Sequence, residues 1–485
     1  MPQTTIHEIR PQRPFAAEFP LSLIDGLMPR INNRYLFIWE TARISTQSLS
    51  ATREDLVFRL IAALQSLLTF PEDGVLALPE ILGNVHENRV TGRLTLKVSE
   101  ESHVPFRVTY RNDITFESLD QLAGFPRCNF PAEVYATGMD ALPTATPMKG
   151  FCAQITFIDG GFVICVTKHH SLLDGNALAF LIKQWFSRAR SLTTGEDIAV
   201  LPPATCNAIH EKSALSSTRP VQAVKISDWS VKVGAKPTIF GLDTSLLPLK
   251  NLIKWIPFIK LPVVASGTFH FSAEAIRRLK LETEAVGLGR LSTNDVLSAL
   301  IWRCMTRARL GTGSISEELS CLCMAANARQ RIQPSLPKEY FGNAVFTIPT
   351  HVGVRDLTAS GIDAQARASI AIRKSLTEKS DDNYIRSFLM LAQKQSKLSD
   401  LRHDIHVFGG KDIFMTNWEQ YFTSTSELDV GCGSFRRMRL PAGDGFDGLV
   451  MIMLRMVFAR RKALQVIRAA LRSLSIYRRT ICKRC

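Results

Sequence analysis

The sequence predicts a mixed α/β fold in two domains, and three observations carry that expectation. The chain has 485 residues, enough for two domains with substantial cores. In the first half, two apolar strand-like runs joined by Asp159-Gly160-Gly161 feed directly into a helical pattern. In the second half, a strand-like run and two helical patterns precede a late apolar run. Charged residues at 21% and hydrophobic residues at 46% give globular rather than disordered composition.

Residues 1–20 read as an extended arm. Pro2, Pro11 and Pro14 and the lack of an apolar stretch in 1–15 argue against a secretory signal. Over 53–70, Leu56, Leu60, Ala63, Leu64 and Leu67 recur at helical spacing on one face. Residues 152–158 and 162–168 read as strands, and the Asp-Gly-Gly between them as a hairpin turn. From 176 to 190 the pattern turns helical, with Leu178, Leu181, Ile182 and Trp185 on one side.

Residues 191–266 read as a long crossover between two halves. Its 246–264 stretch resists an amphipathic membrane helix because Pro248, Pro257 and Pro262 break the period. Residues 267–272 read as a strand, and 273–286 as a helix. Ser292-Thr293-Asn294-Asp295 offers an N-cap to a helix reaching about 307, with Leu297, Leu300, Ile301 and Met305 inward. The continuous apolar run 449–454 reads as a buried strand. The domain boundaries are therefore 1–190, 191–266 and 267–454, followed by a tail, 455–485.

The net charge of +15 belongs mostly to that tail. Ten Lys and Arg between Arg455 and Arg484, with no acidic residue, leave only +5 for residues 1–454. The body is mildly basic, which argues against a nucleic-acid-binding face. No run of about 18 uncharged apolar residues exists, so no membrane span is expected. The tail reads either as a helical extension or as an out-of-frame continuation. The ten cysteines are scattered; free thiols in a reducing, cytoplasmic setting are expected, and Cys482-x-x-Cys485 has no second pair.

The chemistry concentrates in His169-His170-Ser171-Leu172-Leu173-Asp174-Gly175, at the strand-to-helix junction. A histidine titrating near neutrality can take a proton from an alcohol or amine, then return it to a leaving group. Acyl transfer from a thioester needs both steps in that order. Asp174 is placed either to fix the ring or to fix the loop, or to cap the next helix. Gly175 is expected to permit a tight turn. Adjacent histidines at a strand end point to opposite sides and no third ligand is near, so no metal site is expected.

These residues resemble the BAHD acyltransferases, and more closely their fungal secondary-metabolism branch, which includes trichothecene acetyltransferase-like proteins. The likeness covers the chain to about residue 454. Leu21-Ser22-Leu23-Ile24-Asp25 resembles the family's opening segment, and His170 and Asp174 match its HxxxD motif. The segment from Leu291 to Leu297, with Ile301-Trp302-Arg303, is similar to its second-domain helix. Asn327-Ala328-Arg329-Gln330-Arg331, Pro334, Pro337 and Tyr340-Phe341-Gly342-Asn343 follow the family's order. Thr416-Asn417-Trp418 resembles its pocket segment. Asp429-Val430-Gly431-Cys432-Gly433 stands where the family carries DFGWG, keeping Asp429, Gly431 and Gly433 and losing both aromatics.

The resemblance implies two chloramphenicol-acetyltransferase-like domains with a central solvent channel. It implies His170 as general base and direct transfer without an acyl-enzyme. It implies a structural Asp174 paired with an arginine, either Arg329 or Arg331. His169 and Gly175 support the motif. Thr416, Trp418 and Asn343 are pocket candidates, with Trp418 either touching substrate and the tetrahedral oxyanion or filling the core. The expected activity is an acyl-CoA-dependent O-acyltransferase, with acetyl as the acyl group and a small hydroxylated secondary metabolite, in preference to an amine, as acceptor. Acyl-CoA is a co-substrate; no bound cofactor or metal, no nucleic acid and a monomeric state are expected. The alternatives are a carrier-protein-dependent condensation enzyme and a catalytically silent binding protein on the same fold.

Overall fold

The computed structural model describes residues 3–41, 46–72, 75–120, 125–143, 147–198, 200–215, 226, 229–231, 238–239, 242–243, 266–407 and 410–454. The tail 455–485, with Cys482 and Cys485, and the 246–264 stretch lie outside the described residues.

A six-stranded sheet organises the first half. Its order is β1 (Gln3–Ile9), β6 (Val104–Thr115), β8 (Phe151–Asp159), β9 (Gly161–His169), β3 (Asn32–Glu40) and β17 (Ser434–Arg439). Only the β6–β8 pairing is parallel. β8 and β9 form the expected hairpin, with Gly160 at φ +73°, a left-handed conformation that glycine adopts without steric cost. Along β3, Tyr35, Phe37 and Trp39 face one core while Leu36 and Ile38 face another. The first of these cores is closed by the helices Thr46–Gln65 and Gly175–Thr194. Leu56, Leu60, Ala63, Leu64 and Leu67 meet Leu178, Leu181, Ile182 and Trp185 there, and the Trp185 Nε1–H donates to the Leu60 carbonyl at 2.8 Å. A smaller sheet, β2 (Ala17–Pro20), β5 (Leu94–Val98), β4 (Asn84–Glu87) and β7 (Met148–Lys149), completes this half.

The second half holds a four-stranded sheet, β14 (Val345–Gly353), β13 (Leu319–Asn327), β16 (Ile413–Asn417) and β18 (Leu449–Ile452). Leu322, Met324, Ile413 and Met415 pack under the helices Thr293–Leu310 and Ile362–Glu378. The opposite face carries Cys321, Cys323 and Phe414. Two short pairs, β10 (Trp229–Val231) with β15 (Leu401–His403) and β11 (Thr238–Ile239) with β12 (Leu242–Asp243), lie outside these sheets.

Several expectations need correction. The N-terminal arm is two sheet strands, β1 and β2, because its alternating residues find partners in β6 and β5. The helix begun at 175 continues to Thr194, beyond the boundary drawn at 190, and ends at Gly195 with φ +68°. Residues 434–439, assigned to the second half, pair with β3 as β17, so the first sheet is incomplete without them. In return, Leu23 and Ile24 pack in a second-half core beside Ile385 and Leu389. Residues 267–272 are not a strand. Phe269 and Phe271 stay exposed there, and no described strand pairs with them; strand composition without a partner edge does not make a ladder. The Thr293–Leu310 helix does turn Leu297, Ile301 and Met305 inward as expected, Leu297 buried and the other two packed on the core, and it adds the fully buried Val296, Ala299 and Trp302. β18 ends at Ile452 and is half-buried, because it pairs with β16 alone among the described residues.

Candidate active site

β9 ends at His169, and His170 begins the turn that leads to the next helix. His170 is gripped from both halves of the chain. Its N–H donates to the Ile31 carbonyl at 2.8 Å, and its carbonyl accepts from Asn343 Nδ2 at 3.0 Å. The ring is partly exposed with Nδ1 buried and unpaired, so the open edge presents Nε2. Burial, and then the nearby Lys168 charge, push its pKa down to about 3, so the imidazole is neutral at neutral pH. His169 turns the other way. It is fully buried, and its Nδ1 accepts from the Ser171 N–H at 3.2 Å.

Asp174 caps the Gly175–Thr194 helix, accepting from the Ala177 N–H at 2.9 Å. Its remaining capacity goes across the molecule. Arg329 donates to both carboxylate oxygens, at 2.7 and 3.0 Å, and the Ala344 N–H donates at 2.9 Å. Burial raises the Asp174 pKa, but Arg329 and the two amides outweigh it and hold the group below its ordinary value. Arg329, 1% exposed, also donates to the carbonyls of Tyr340 and Gly342 at 2.9 and 3.0 Å. Arg331 instead donates to the Asn327 carbonyl. Asp174 therefore fixes the loop and the seam between the halves; it makes no hydrogen bond to the His170 ring.

Gly175 corrects the expectation of a tight turn. It opens the helix without a positive φ, and space is what it supplies. A Cβ there would lie 2.6 Å from Tyr421 Cε2 and 3.1 Å from Trp418 Cζ2. Trp418, 3% exposed, packs tilted against Tyr35 at 4.5 Å and edge-on against Tyr421 at 5.2 Å, so its place is the core. Thr416 is half-exposed on β16.

Asp25 carries no site role in the sequence reading, and the fold makes it central. Asp25 is fully buried in the short helix Leu23–Leu27, and one oxygen takes both Ser22 donors, at 2.9 and 2.8 Å. The other takes the Asn343 N–H and Nδ2, at 3.0 and 2.8 Å. Asp25 thus aims the Asn343 amide at the His170 carbonyl. The legible signal was the Ser22-x-x-Asp25 capping box.

The Asp429–Gly433 loop is remote from His170. Arg59 Nη1 donates to the Val430 and Ala189 carbonyls, at 2.7 and 3.1 Å. Ala189 lies 15 residues along the helix from Asp174, roughly 22 Å at 1.5 Å per residue. Asp429 accepts from the Gly431 N–H at 2.8 Å, and Gly431 and Gly433 sit at φ +72° and +69°. Buried Val430 and partly buried Cys432 pack on the first-half core in place of the aromatics. A groove of about 660 Å³ lined by Glu18, His86, Lys97 and Ser102 shares no residue with the His170 cluster. Among the described residues no group of three His, Cys, Asp or Glu is arranged to hold a metal ion, and no helix is long and apolar enough to cross a membrane.

A family model described as the Transferase family matches residues 260–455. Acyltransferase cm3D of Cordyceps militaris is 23% identical over 344 residues, covering 67% of this chain and 69% of that protein. Hydroxycinnamoyltransferase 2 of Oryza sativa is 27% identical over 325 residues, covering 67% and 65%. O-acetyltransferase anaAT of Neosartorya fischeri is 25% identical over 349 residues, covering 63% and 65%. The matched stretch thus spans about two thirds of each relative. Among solved structures, F. graminearum TRI101 complexed with coenzyme A and deoxynivalenol aligns with TM-score 0.69 at 17% identity, over 90% of this chain and 92% of that one. Vinorine synthase aligns with TM-score 0.54 at 17% identity, over 96% of both chains. At such identities the likeness is one of fold, and it is the α/β fold expected from the sequence.

Proposed function

We propose that this chain, a member of the Transferase family, moves an acyl group from a CoA thioester to the hydroxyl of a small molecule, with His170 as the general base. The observation that carries this reading is a neutral, partly exposed imidazole whose main chain is held from both halves. Nε2 takes the acceptor's hydroxyl proton while its oxygen attacks the thioester carbonyl. The tetrahedral intermediate collapses, the C–S bond breaks, and the imidazolium returns the proton to the departing thiolate. One proton moves twice, and the acyl group never joins the protein.

Asp174, committed to Arg329 and two amides, does not relay that proton; it keeps the turn under His170 in place. Oxygen acetylation is the form we propose, since anaAT is named an O-acetyltransferase. The acceptor we propose is a small secondary metabolite; the TRI101 structures hold deoxynivalenol or T-2 mycotoxin together with coenzyme A. A central channel would admit the two substrates, with Thr416 as its wall candidate; Asn343, fully buried, acts through the His170 carbonyl instead. We place the monomeric enzyme in the cytoplasm, a reducing compartment that keeps cysteine thiols reduced.

The test is release of free CoA thiol from acetyl-CoA with a panel of alcohols, the wild type beside His170→Ala. Acceptor-dependent release that falls about 10²- to 10⁴-fold in the variant supports the reading. An unaffected His170→Ala overturns the mechanism. Binding of acetyl-CoA without release from any acceptor would favour a silent binding protein.

A further inference from the structure

Lys168 stands two residues before His170 and is 1% exposed. On β9 it shares the helix-covered face with Ile164 and Val166; Asn33 of β3 and Phe151 of β8 are its cross-strand partners. Its Nζ reaches over the turn and donates to the Leu173 carbonyl, which closes the 169–173 loop from below. An ammonium has three donors, and this is its one hydrogen bond among the described residues. Asn33 Oδ1, across the strand pair, and His170 Nδ1 are buried without partners.

Among the described residues Asp174 is the one anion acting on Lys168, and its oxygens are already occupied by Arg329, Ala177 and Ala344. His169 and His170 face Lys168 from its own strand end, and Arg30 adds a second cation beside His169. β3 and β8 present only the neutral Asn33 and Phe151. A buried ammonium with so little compensation is costly, and a methionine would fill the same space without that cost.

We propose that Lys168 is a positioning residue for the acyl transfer: it holds the His170 turn through Leu173, and its charge sets the base strength of His170. The inference rests on His170 being the base. While Lys168 is an ammonium, the imidazolium that forms in the transition state faces a second buried cation. When Lys168 releases its proton to solvent, that opposition ends and His170 becomes a stronger base. Burial brings the Lys168 pKa down to about 7, which puts this change within reach of ordinary assay conditions.

The experiment compares wild type, Lys168→Met and Lys168→Arg by two readouts. The first is kcat/KM against pH with acetyl-CoA and the working acceptor. Wild type should rise by about tenfold through a step near pH 7. Lys168→Met, uncharged throughout but unable to donate to the Leu173 carbonyl, should lose the step and run flat below the upper level. Lys168→Arg, charged throughout, should lose the step and keep the lower level. The second readout needs no turnover: the ¹³Cε1 resonance of His170, assigned with His170→Gln. It should inflect near pH 7 in wild type and lose the inflection in both variants. A step or inflection that stays in place in either variant overturns the proposal, and if Met does not fold, Arg alone decides. No thiol release from wild type at any pH would overturn the transferase reading and leave the resonance test of Lys168 standing.

Discussion

Asp174 and Arg329, 155 residues apart, form a two-pronged ion pair, their side chains 6% and 1% exposed, at the junction of the two halves. The aspartate that follows the histidine in the motif thus faces away from the chemistry. It belongs to a frame that runs from the helix cap through Arg329 to the Tyr340 and Gly342 carbonyls.

Removing one partner of that pair leaves a buried charge alone. Asp174→Ala is expected to lower stability by about 3–5 kcal/mol in urea unfolding. Asp174→Ala with Arg329→Met should recover part of the loss, since both charges are gone. A single variant as stable as wild type would mean that the pair carries no structural load.

Asn343→Ala cuts the link between Asp25 and the His170 carbonyl. The turn keeps its Ile31 contact, so the protein should fold while His170 loses its registration. We expect kcat to fall about tenfold with KM little changed, the mark of a misplaced reacting group. A rise in KM alone would move Asn343 from positioning to substrate binding.

Alanine in place of glycine usually stabilises a helix interior by about 0.5–1 kcal/mol. At Gly175 the sign should reverse, to a loss of about 1–3 kcal/mol, because the new methyl meets Tyr421 at 2.6 Å. Adding Tyr421→Ala should relieve the clash, and a double-mutant cycle on unfolding midpoints would show the coupling. Additive effects would mean that the two residues do not meet.

Acid should destabilise the fold before any carboxylate titrates. Burial pushes His169 and His170 down to about 3 and His403 to about 4 in the folded protein, while unfolded histidines charge near about 6.5. Between those values the unfolded chain holds more protons, so the stability these histidines contribute is fully present above about pH 6.5 and falls as pH drops below it. His169→Gln should flatten that decline between pH 7 and 5. An unchanged slope would place the acid sensitivity elsewhere.

Local signals in the sequence were read well where a few neighbouring residues decide the outcome. The Asp159-Gly160-Gly161 turn, the Ser292 cap and the apolar stripe from Leu56 to Leu67 needed no distant partner. Readings failed where the outcome depends on a partner. Residues 267–272 have strand composition but no described edge to join. Lys168 closes a strand pattern in the sequence, and only the fold shows that it is buried, 1% exposed.

By itself the sequence determined the chemistry available to this protein: a histidine at a strand-to-helix junction, an aspartate able to cap the helix, and two halves of mixed α/β composition. Those features follow from side-chain type and from spacings of two to four residues. The tertiary structure decided which way each group faces. Asp174 turned to Arg329, Asp25 reached Asn343 across 318 residues, β17 joined the first sheet, and Gly175 became a matter of room beside Tyr421. Such contacts are set by packing between residues far apart in the chain, where the nearest sequence neighbours carry no information about the partner.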